Sequence, residues 1–456
     1  MLGIKQIAQK MGVDKAIAYS SGARVVQGFT GVGSIFFIST FLTGVEQGFF
    51  FTFGSILALQ VFFELGLTGI MTQYVAHEVS HLTLDENKEY HGEDRYKSRL
   101  ASLVHFCVKW YAIIAIMIFI FLNAVGYVYF NKFGDNQGEV VEWQTPWILI
   151  SIATAIQLFV SPLTSILSGL GFVKQTSKIT FFQQLITPLC IWTGLVCGFK
   201  LYVTGIGYLV NVSIWFALTK KQGLQQILKN LWNYTITERV AYTEEIFHYQ
   251  WKIALSWVSG YFIFQLFNPI LFATEGAVVA GQMGMTLQAL NAINAFSMSW
   301  LNTKVPTYSK LIALKDYANL DTLFVKTLKQ MSTVCISMLL MFFVFINILR
   351  ISDFHIGDSY IGNRFLSNLP LLLMSATIFA NQFVNSWAAY LRCHKQEPFL
   401  YLSIIMGITC CASTVIGGRL FGLYGVVIGY TSLTCFLAVP WAHHLFVIKK
   451  KQWHEK

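Results

Sequence analysis

The sequence predicts an all-α integral membrane protein with twelve transmembrane helices in two parallel six-helix lobes. Of its 456 residues, 55% are hydrophobic and only 12% charged, and the mean hydropathy is +0.56; soluble domains carry about 25% charged residues. Uncharged apolar runs of about 18 residues or more, each long enough to cross a bilayer, recur from end to end. Basic residues gather in alternate connections between those runs, and the two halves of the chain echo one another.

The spans are expected near 22–43, 48–76, 101–130, 146–169, 179–200, 203–219, 250–272, 277–301, 328–350, 366–391, 398–417 and 421–447. The first is longer than the apolar core of a signal peptide, lacks a small-x-small exit and is followed by further spans, so it is read as retained. Placing the N-terminus in the cytoplasm puts all but six of the 32 Lys and Arg on that side. Lys132, Lys200, Arg350, Arg364 and Arg419 fall outside, and Lys109 lies within a span. Outer connections such as DNQGEVVEW and ISDFHIGDS carry more acids than bases. An odd span count would destroy this positive-inside segregation, so both termini are expected in the cytoplasm. The net charge of +10 is then a topology signal suited to anionic lipid, and nucleic acid is not needed to explain it. The eight cysteines show no CxxC pair and read as small apolar packing residues.

The connections are short except for three mixed-charge inner segments near 78–100, 220–249 and 302–327, so no soluble catalytic domain is expected. The middle one, KKQGLQQILKNLWNYTITERVAYTEEIFHY, reads as an amphipathic interfacial helix plus linker. It divides the chain into an N-terminal lobe, 1–219, a cytoplasmic linker, 220–249, and a C-terminal lobe, 250–456. Arg24 is matched by Lys252, Glu46-Gln47-Gly48 by Glu275-Gly276, Lys174-Gln175 by Lys395-Gln396, and KLYVTGIGY by RLFGLYGVVIGY. Because each half holds an even number of spans, the repeats are parallel, with a transport site expected between them near mid-depth.

Polar residues inside apolar runs are costly and mark cavities or partners. Glu64, in VFFELGLTG, stands midway along the second span; it reads either as a hydrogen-bonded carboxyl between helices or as a proton or substrate site. Arg24 and Gln27 share a helical face near the inner end of the first span, and Lys252 holds the equivalent place in the second half. Gln288, Asn291, Asn294 and Asn302 fall within one arc of the eighth span, and Asn381 and Asn385 form a shorter stripe in the tenth. Such stripes serve as glue between helices or as a hydrated cavity wall. Asn268-Pro269 is expected to break the seventh span, and Pro306 to terminate a helix.

His77-Glu78-Val79-Ser80-His81 matches H-E-x-x-H, which on a helix presents two zinc-ligating histidines beside a general base. A zinc enzyme needs a third ligand. The clear intramembrane acid, Glu64, sits thirteen residues earlier on the same helix, about 20 Å away at about 1.5 Å per residue. The motif is therefore read as coincidental, with no metal, no cofactor and no catalytic residue expected. A polytopic enzyme would also be expected to carry a sizeable acid-rich outer loop, and none of the outer loops is long.

With these residues in hand, the chain resembles the polysaccharide-exporter branch of the MOP superfamily. FLTGVEQGFFFTFGSILALQVFFELGL (41–67) is similar to that family's passage from first to second helix, with an acid before Gly-Leu; GIGY, GLYGVVIGY and LNTKVPTYSKL are similar to its later turns. The resemblance covers all twelve spans. It implies two six-helix lobes in a V around a central cavity, in the cytoplasmic membrane of a bacterium. It also implies a flippase, not an enzyme, that moves an undecaprenyl-diphosphate-linked oligosaccharide (an O-antigen, capsule or exopolysaccharide repeat) by alternating access. Partners would be that substrate, membrane lipid and a glycan polymerase or glycosyltransferase, with the chain acting as a monomer. Arg24, Gln27, Glu64, Lys252, Gln288, Asn291, Asn294, Asn381 and Asn385 are the expected substrate contacts, the cations meeting phosphate and the amides meeting sugar. A MATE-like cation-coupled drug antiporter shares this architecture and is the alternative; it would want buried acids, of which the chain has few.

Overall fold

An apolar run in lipid satisfies its backbone polar groups only by coiling on itself or closing a barrel, and this chain coils. The computed structural model describes residues 15–134, 140–356, 359–394, 396 and 398–454. In order, the helices and strands are α1 (Lys15–Phe41), α2 (Gly44–Leu57), α3 (Val61–Glu64), α4 (Leu67–Val79), β1 (Leu82–Leu84), β2 (Tyr90–Gly92), α5 (Asp94–Phe133), α6 (Gln144–Gly169), α7 (Val173–Val196), α8 (Tyr202–Lys221) and α9 (Leu224–Trp232). They continue as α10 (His248–Phe264), α11 (Phe267–Thr274), α12 (Ala277–Asn302), α13 (Val305–Ala313), α14 (Tyr317–Ile351), β3 (His355–Ile356), β4 (Ser359–Tyr360), α15 (Asn368–Arg392), α16 (Leu400–Leu433) and α17 (Val439–His454).

Every expected span coincides with one of these helices or a broken pair of them. Among the described residues, eight segments are long and apolar enough to cross a membrane on length and hydropathy alone, and Val26–Phe41 is a shorter apolar helix. One of the eight, Leu400–His454, holds both of the last two spans; Gly422, at φ +55°, interrupts it. Of the helices outside that set, α12 and α15 carry the amide stripes, so the polar residues that lower their hydropathy are the ones of interest. This is a multi-pass membrane protein. The α5 and α14 helices, of 40 and 35 residues, exceed the roughly 20 needed to span a bilayer, so each extends past its apolar window.

The contacts divide the chain into two compact units. The first comprises Met1–Thr30, Leu57–Lys132 and Glu142–Trp257; the second comprises Gly31–Ile56, Phe133–Val141 and Val258–Lys456. These differ from halves cut at 219 and 250, since residues 31–56 group with the C-terminal helices. The reason is local packing. A Cβ on Gly48 would stand 2.0 Å from the Ala277 carbonyl oxygen, so only glycine lets α2 lie this close to α12. Gln47 Nε2 donates to the carbonyls of Gly281 (2.8 Å) and Arg364 (3.1 Å), Arg364 Nη2 donates to that of Leu42 at 2.7 Å, and Phe49 meets Phe272 edge-on at 4.9 Å.

In the first unit, α6 packs against α4 and α8. Trp147, 1% exposed, donates Nε1 to the Leu122 carbonyl at 3.1 Å in space left by Gly126, where a Cβ would meet its indole at 2.1 Å. The segment 78–100 contains the hairpin β1–β2, with Leu82 opposite Gly92. The amphipathic helix expected in the linker is α9, yet its apolar residues Leu224, Ile227 and Leu231 are buried in protein, not left free for lipid. His105 Nε2 lies 2.6 Å from the Trp232 carbonyl and stacks on that indole at 4.0 Å, holding the end of α9 to α5. Pro306 sits in the first turn of α13 and begins that helix instead of ending one.

Candidate functional site

In the second unit the two amide stripes and the broken seventh span meet around one cavity of about 480 Å³. The α10 helix ends at Phe264 and α11 begins at Phe267. Pro269 falls in the first turn of α11, where its missing N–H costs nothing, and the break turns Gln265 and Asn268 toward the cavity. From α12 come Gln288, Asn291 and Asn294, at spacings of three that keep them on one face. From α15 come Asn381 and Asn385, from α16 Tyr430, and from α2 Phe51 and Ser55.

Within it, Asn381 Nδ2 donates to Tyr430 Oη at 3.0 Å, and Asn268 Nδ2 donates to Ser55 Oγ at 3.1 Å. Gln288 Nε2 donates to the Gly31 carbonyl at 3.0 Å. Gln382, behind the wall, donates to Ser297 Oγ and to Asn294 Oδ1 at 3.4 Å. Asn291 and Asn385 are exposed, whereas Asn268 and Tyr430 are buried. Asn268 Oδ1 has no hydrogen-bond partner among the described residues; leaving such an acceptor unmet costs about 1–3 kcal/mol. Phe267 lies against Tyr430 with ring centroids 4.9 Å apart, so aromatic surface alternates with amides. None of the lining residues is Asp, Glu, Lys, Arg or His.

Five expected contacts are thus brought together: Gln288, Asn291, Asn294, Asn381 and Asn385. Asn302 closes α12 and is not in the lining. Glu64 and Gln27 belong to the first unit: Gln27 is exposed, and Glu64 accepts a hydrogen bond from Thr68 Oγ1 at 2.6 Å. The side chains of Arg24 and Lys252 lie outside the described residues, as does Lys395 of the Lys395-Gln396 match. Sequence reasoning missed Gln265, Ser55, Asn268 and Tyr430 as lining groups; the signal available was the Asn-Pro pair, which marks a break where a backbone opens toward a cavity.

The H-E-x-x-H glutamate has another occupation. Glu78, 3% exposed, accepts from Arg99 Nε at 3.1 Å, and Arg99 Nη2 reaches Glu245 at 2.7 Å. The Arg99 guanidinium holds the Glu245 carboxyl below its usual range, against a smaller upward push from burial. His81 stacks on Tyr96 at 4.1 Å, and the side chain of His77 is 75% exposed. The motif ties α4, α5 and the linker at Glu245 together.

No protein-family model matches the sequence, and no curated protein resembles it in sequence. Solved structures do resemble its fold. An inward-facing multidrug resistance MATE family transporter of the MOP superfamily aligns with a TM-score of 0.66 at 13% identity, covering 96% of this chain and 99% of that one. The lipid II flippase MurJ, in an inward closed conformation, aligns at 0.59 and 15% identity over 96% and 90%. A MOP superfamily transporter from Pyrococcus furiosus, described as having a binding pocket of reversed polarity, aligns at 0.51 and 14% over 96% of both chains. The chain has the fold of the MOP superfamily transporters.

Proposed function

We propose that the chain is a MOP-fold transporter that flips a lipid-linked oligosaccharide across the bacterial cytoplasmic membrane by alternating access. The observation that carries this reading is the cavity wall: neutral amides, the hydroxyls of Ser55 and Tyr430 and aromatic faces, with no carboxylate or basic side chain. Sugars present many hydroxyls that donate and accept, and apolar ring faces that lie on aromatic side chains. A site built to hydrogen-bond hydroxyls discriminates against ligands lacking them, because its buried polar groups are then unmet. The diphosphate of the carrier would be met by Arg24 and Lys252, and the polyprenyl tail would stay in lipid. A cell that supplies this substrate also holds glycosyltransferases and a polymerase, the partners this reading implies.

A second reading rests on Phe51, Phe264 and Phe267 in the same wall: aromatic faces hold organic cations, and the multidrug transporter aligns over nearly the whole chain. The flippase is favoured because a cation buried without a carboxylate is expensive.

Replacing Asn291 and Asn381 by Leu should cut surface polysaccharide by roughly tenfold or more, the effect of about 1.4 kcal/mol or more lost at the site. The lipid-linked precursor should accumulate on the inner leaflet while the variant protein is present at normal level. Unchanged polysaccharide in both variants, together with efflux of a cationic dye by the wild type, would replace the flippase by the antiporter.

A further inference from the structure

The second unit holds another cavity, of about 380 Å³, lined by Gln282, Arg350, Asn363, Phe365, Ser367 and Asn368. It shares no lining residue with the amide cavity, and its wall carries a charge. Arg350, one residue before the end of α14, is half-buried there. Its Nε donates to the Gly362 carbonyl at 3.2 Å, and its Nη2 to those of Leu366 at 2.6 Å and Phe365 at 3.4 Å. Its Nη1 donates to Asn368 Oδ1. A Cβ on Gly362 would stand 2.8 Å from Arg350 Cγ, so glycine lets this turn close over the side chain. Gln282 Nε2 donates to the Asn363 carbonyl at 2.9 Å and holds the turn from the α12 side.

These contacts fix the guanidinium without neutralising it. Each acceptor is a neutral carbonyl or amide oxygen, and among the described residues no carboxylate pairs with Arg350. Nη1 carries two N–H donors, and the second meets no acceptor among the described residues. A half-buried cation without a counter-charge is costly, and an anion beside it removes that cost. The same cavity takes in the start of α15, a 25-residue helix whose N-cap, Ser367, makes no side-chain cap. The dipole and first N–H groups of that helix add to the attraction for an anion.

Depth decides which anion. Ile348 and Ile351 on α14, and Leu369 and Leu372 on α15, are exposed large apolar side chains within a turn of Arg350 or Asn368. Asn363, Ser367 and Asn368 are exposed polar ones. On helices that cross a bilayer the first set faces hydrocarbon and the second faces water. The cavity therefore lies at the level where a bilayer carries its phosphates, and basic pockets between transmembrane helices take lipid head groups. A free anion has no use for the apolar rim.

We propose that this cavity binds the phosphate of a membrane lipid. Arg350 Nη1 and the first turn of α15 hold the phosphate oxygens, Ser367 and Asn363 donate to them, and the hydrocarbon chains lie along Ile348, Ile351, Leu369 and Leu372. The site goes beyond the saccharide reading and depends on neither that reading nor the direction in which the chain is inserted.

The test is native mass spectrometry of the full-length protein in detergent, with dioleoyl phosphatidylglycerol, with dioleoylglycerol, which lacks the phosphate, and with inorganic phosphate. The wild type should retain one more phosphatidylglycerol per chain than Ser367→Asp, whose carboxylate takes the place of the phosphate. Asp serves an N-cap as well as Ser does, so the melting temperature of this variant should hold while its affinity for the lipid falls about tenfold or more. Asn363→Asp, on an exposed side chain, should lose the lipid in the same way. Equal retention by the wild type and both aspartate variants overturns the site. Dioleoylglycerol retained as well as phosphatidylglycerol overturns the phosphate, and displacement of the lipid by equimolar inorganic phosphate overturns the lipid in favour of a free anion. Asn291→Leu should retain phosphatidylglycerol as the wild type does whatever happens to export, so failure of the saccharide reading and failure of the lipid site are told apart.

Discussion

Single residues decide how close the helices of the second unit come. Gly48 and Gly281 face one another: a Cβ on Gly281 would lie 2.9 Å from the Gly48 nitrogen, and one on Gly48 would run into Ala277. Small residues at such crossings let backbones approach inside a membrane. Gly48→Ala is expected to destabilise the protein by about 1–3 kcal/mol through overpacking, lowering the apparent Tm of the purified protein. Gly54→Ala, where a Cβ meets nothing within 4 Å, is the control and should leave Tm nearly unchanged; equal behaviour of the two would refute the close crossing. At this scale the sequence was partly legible. The stripe Gln288, Asn291, Asn294 could be read from helical spacing alone, since three-residue steps keep side chains on one face whatever packs against them. Tyr430 and Ser55 could not, because their presence at the cavity depends on which helices adjoin, and no local pattern encodes that. Glu78 illustrates the opposite risk: a motif spaced for zinc was legible, while the Arg99 that claims its glutamate stood 21 residues away.

Elements were easier to foresee than their ends. The apolar period places α5 and α14 correctly, but both run past the expected spans because polar flanks also coil outside lipid, with Asp94 in the first turn of α5 where the helix dipole favours an acid. The hairpin β1–β2 was invisible in a segment read only as mixed in charge; its turn has Asp85 accepting from the Glu89 N–H at 2.7 Å. The docking of α17 offers a test. His394, just beyond α15, lies 4.9 Å ring to ring from Trp453 and 5.7 Å from His454, and its Nε2 is buried without a hydrogen-bond partner among the described residues. Burial holds its imidazole below the usual value, opposed by hydrogen bonds to the Tyr390 and Leu391 backbone. A histidine whose folded pKa is depressed takes its proton more readily in the unfolded chain. The stability it allows is full above about pH 6.5 and is lost as the pH falls from there through the lowered folded value. The melting temperature should therefore drop over that window in the wild type and drop less in His394→Phe; parallel curves would show that His394 does not titrate in the folded protein.

At the scale of the whole molecule, the succession of apolar runs made the order of helices legible, because span length and hydropathy need no knowledge of packing. The grouping of those helices was not legible. Residues 31–56 join the second unit through contacts, such as Gln47 with the Gly281 carbonyl, that link positions 234 residues apart. What the charge bias does assert is a sidedness, and that can be measured. The connections around Glu86 and Ala313, expected inside, and the one around Ser352, expected outside, are exposed, so a single cysteine at each is reachable by a membrane-impermeant maleimide, with Cys197, the exposed native cysteine, replaced beforehand. Labelling of whole cells should mark Ser352→Cys at once and Glu86→Cys and Ala313→Cys only after the membrane is permeabilised. Immediate labelling of Ala313→Cys would place an odd number of crossings between Glu86 and Ala313. The first and seventh spans would then no longer begin equivalent halves, and the parallel repeat, with the shared site expected from it, would have to be abandoned, while the amide cavity, built within one unit, would stand on its own.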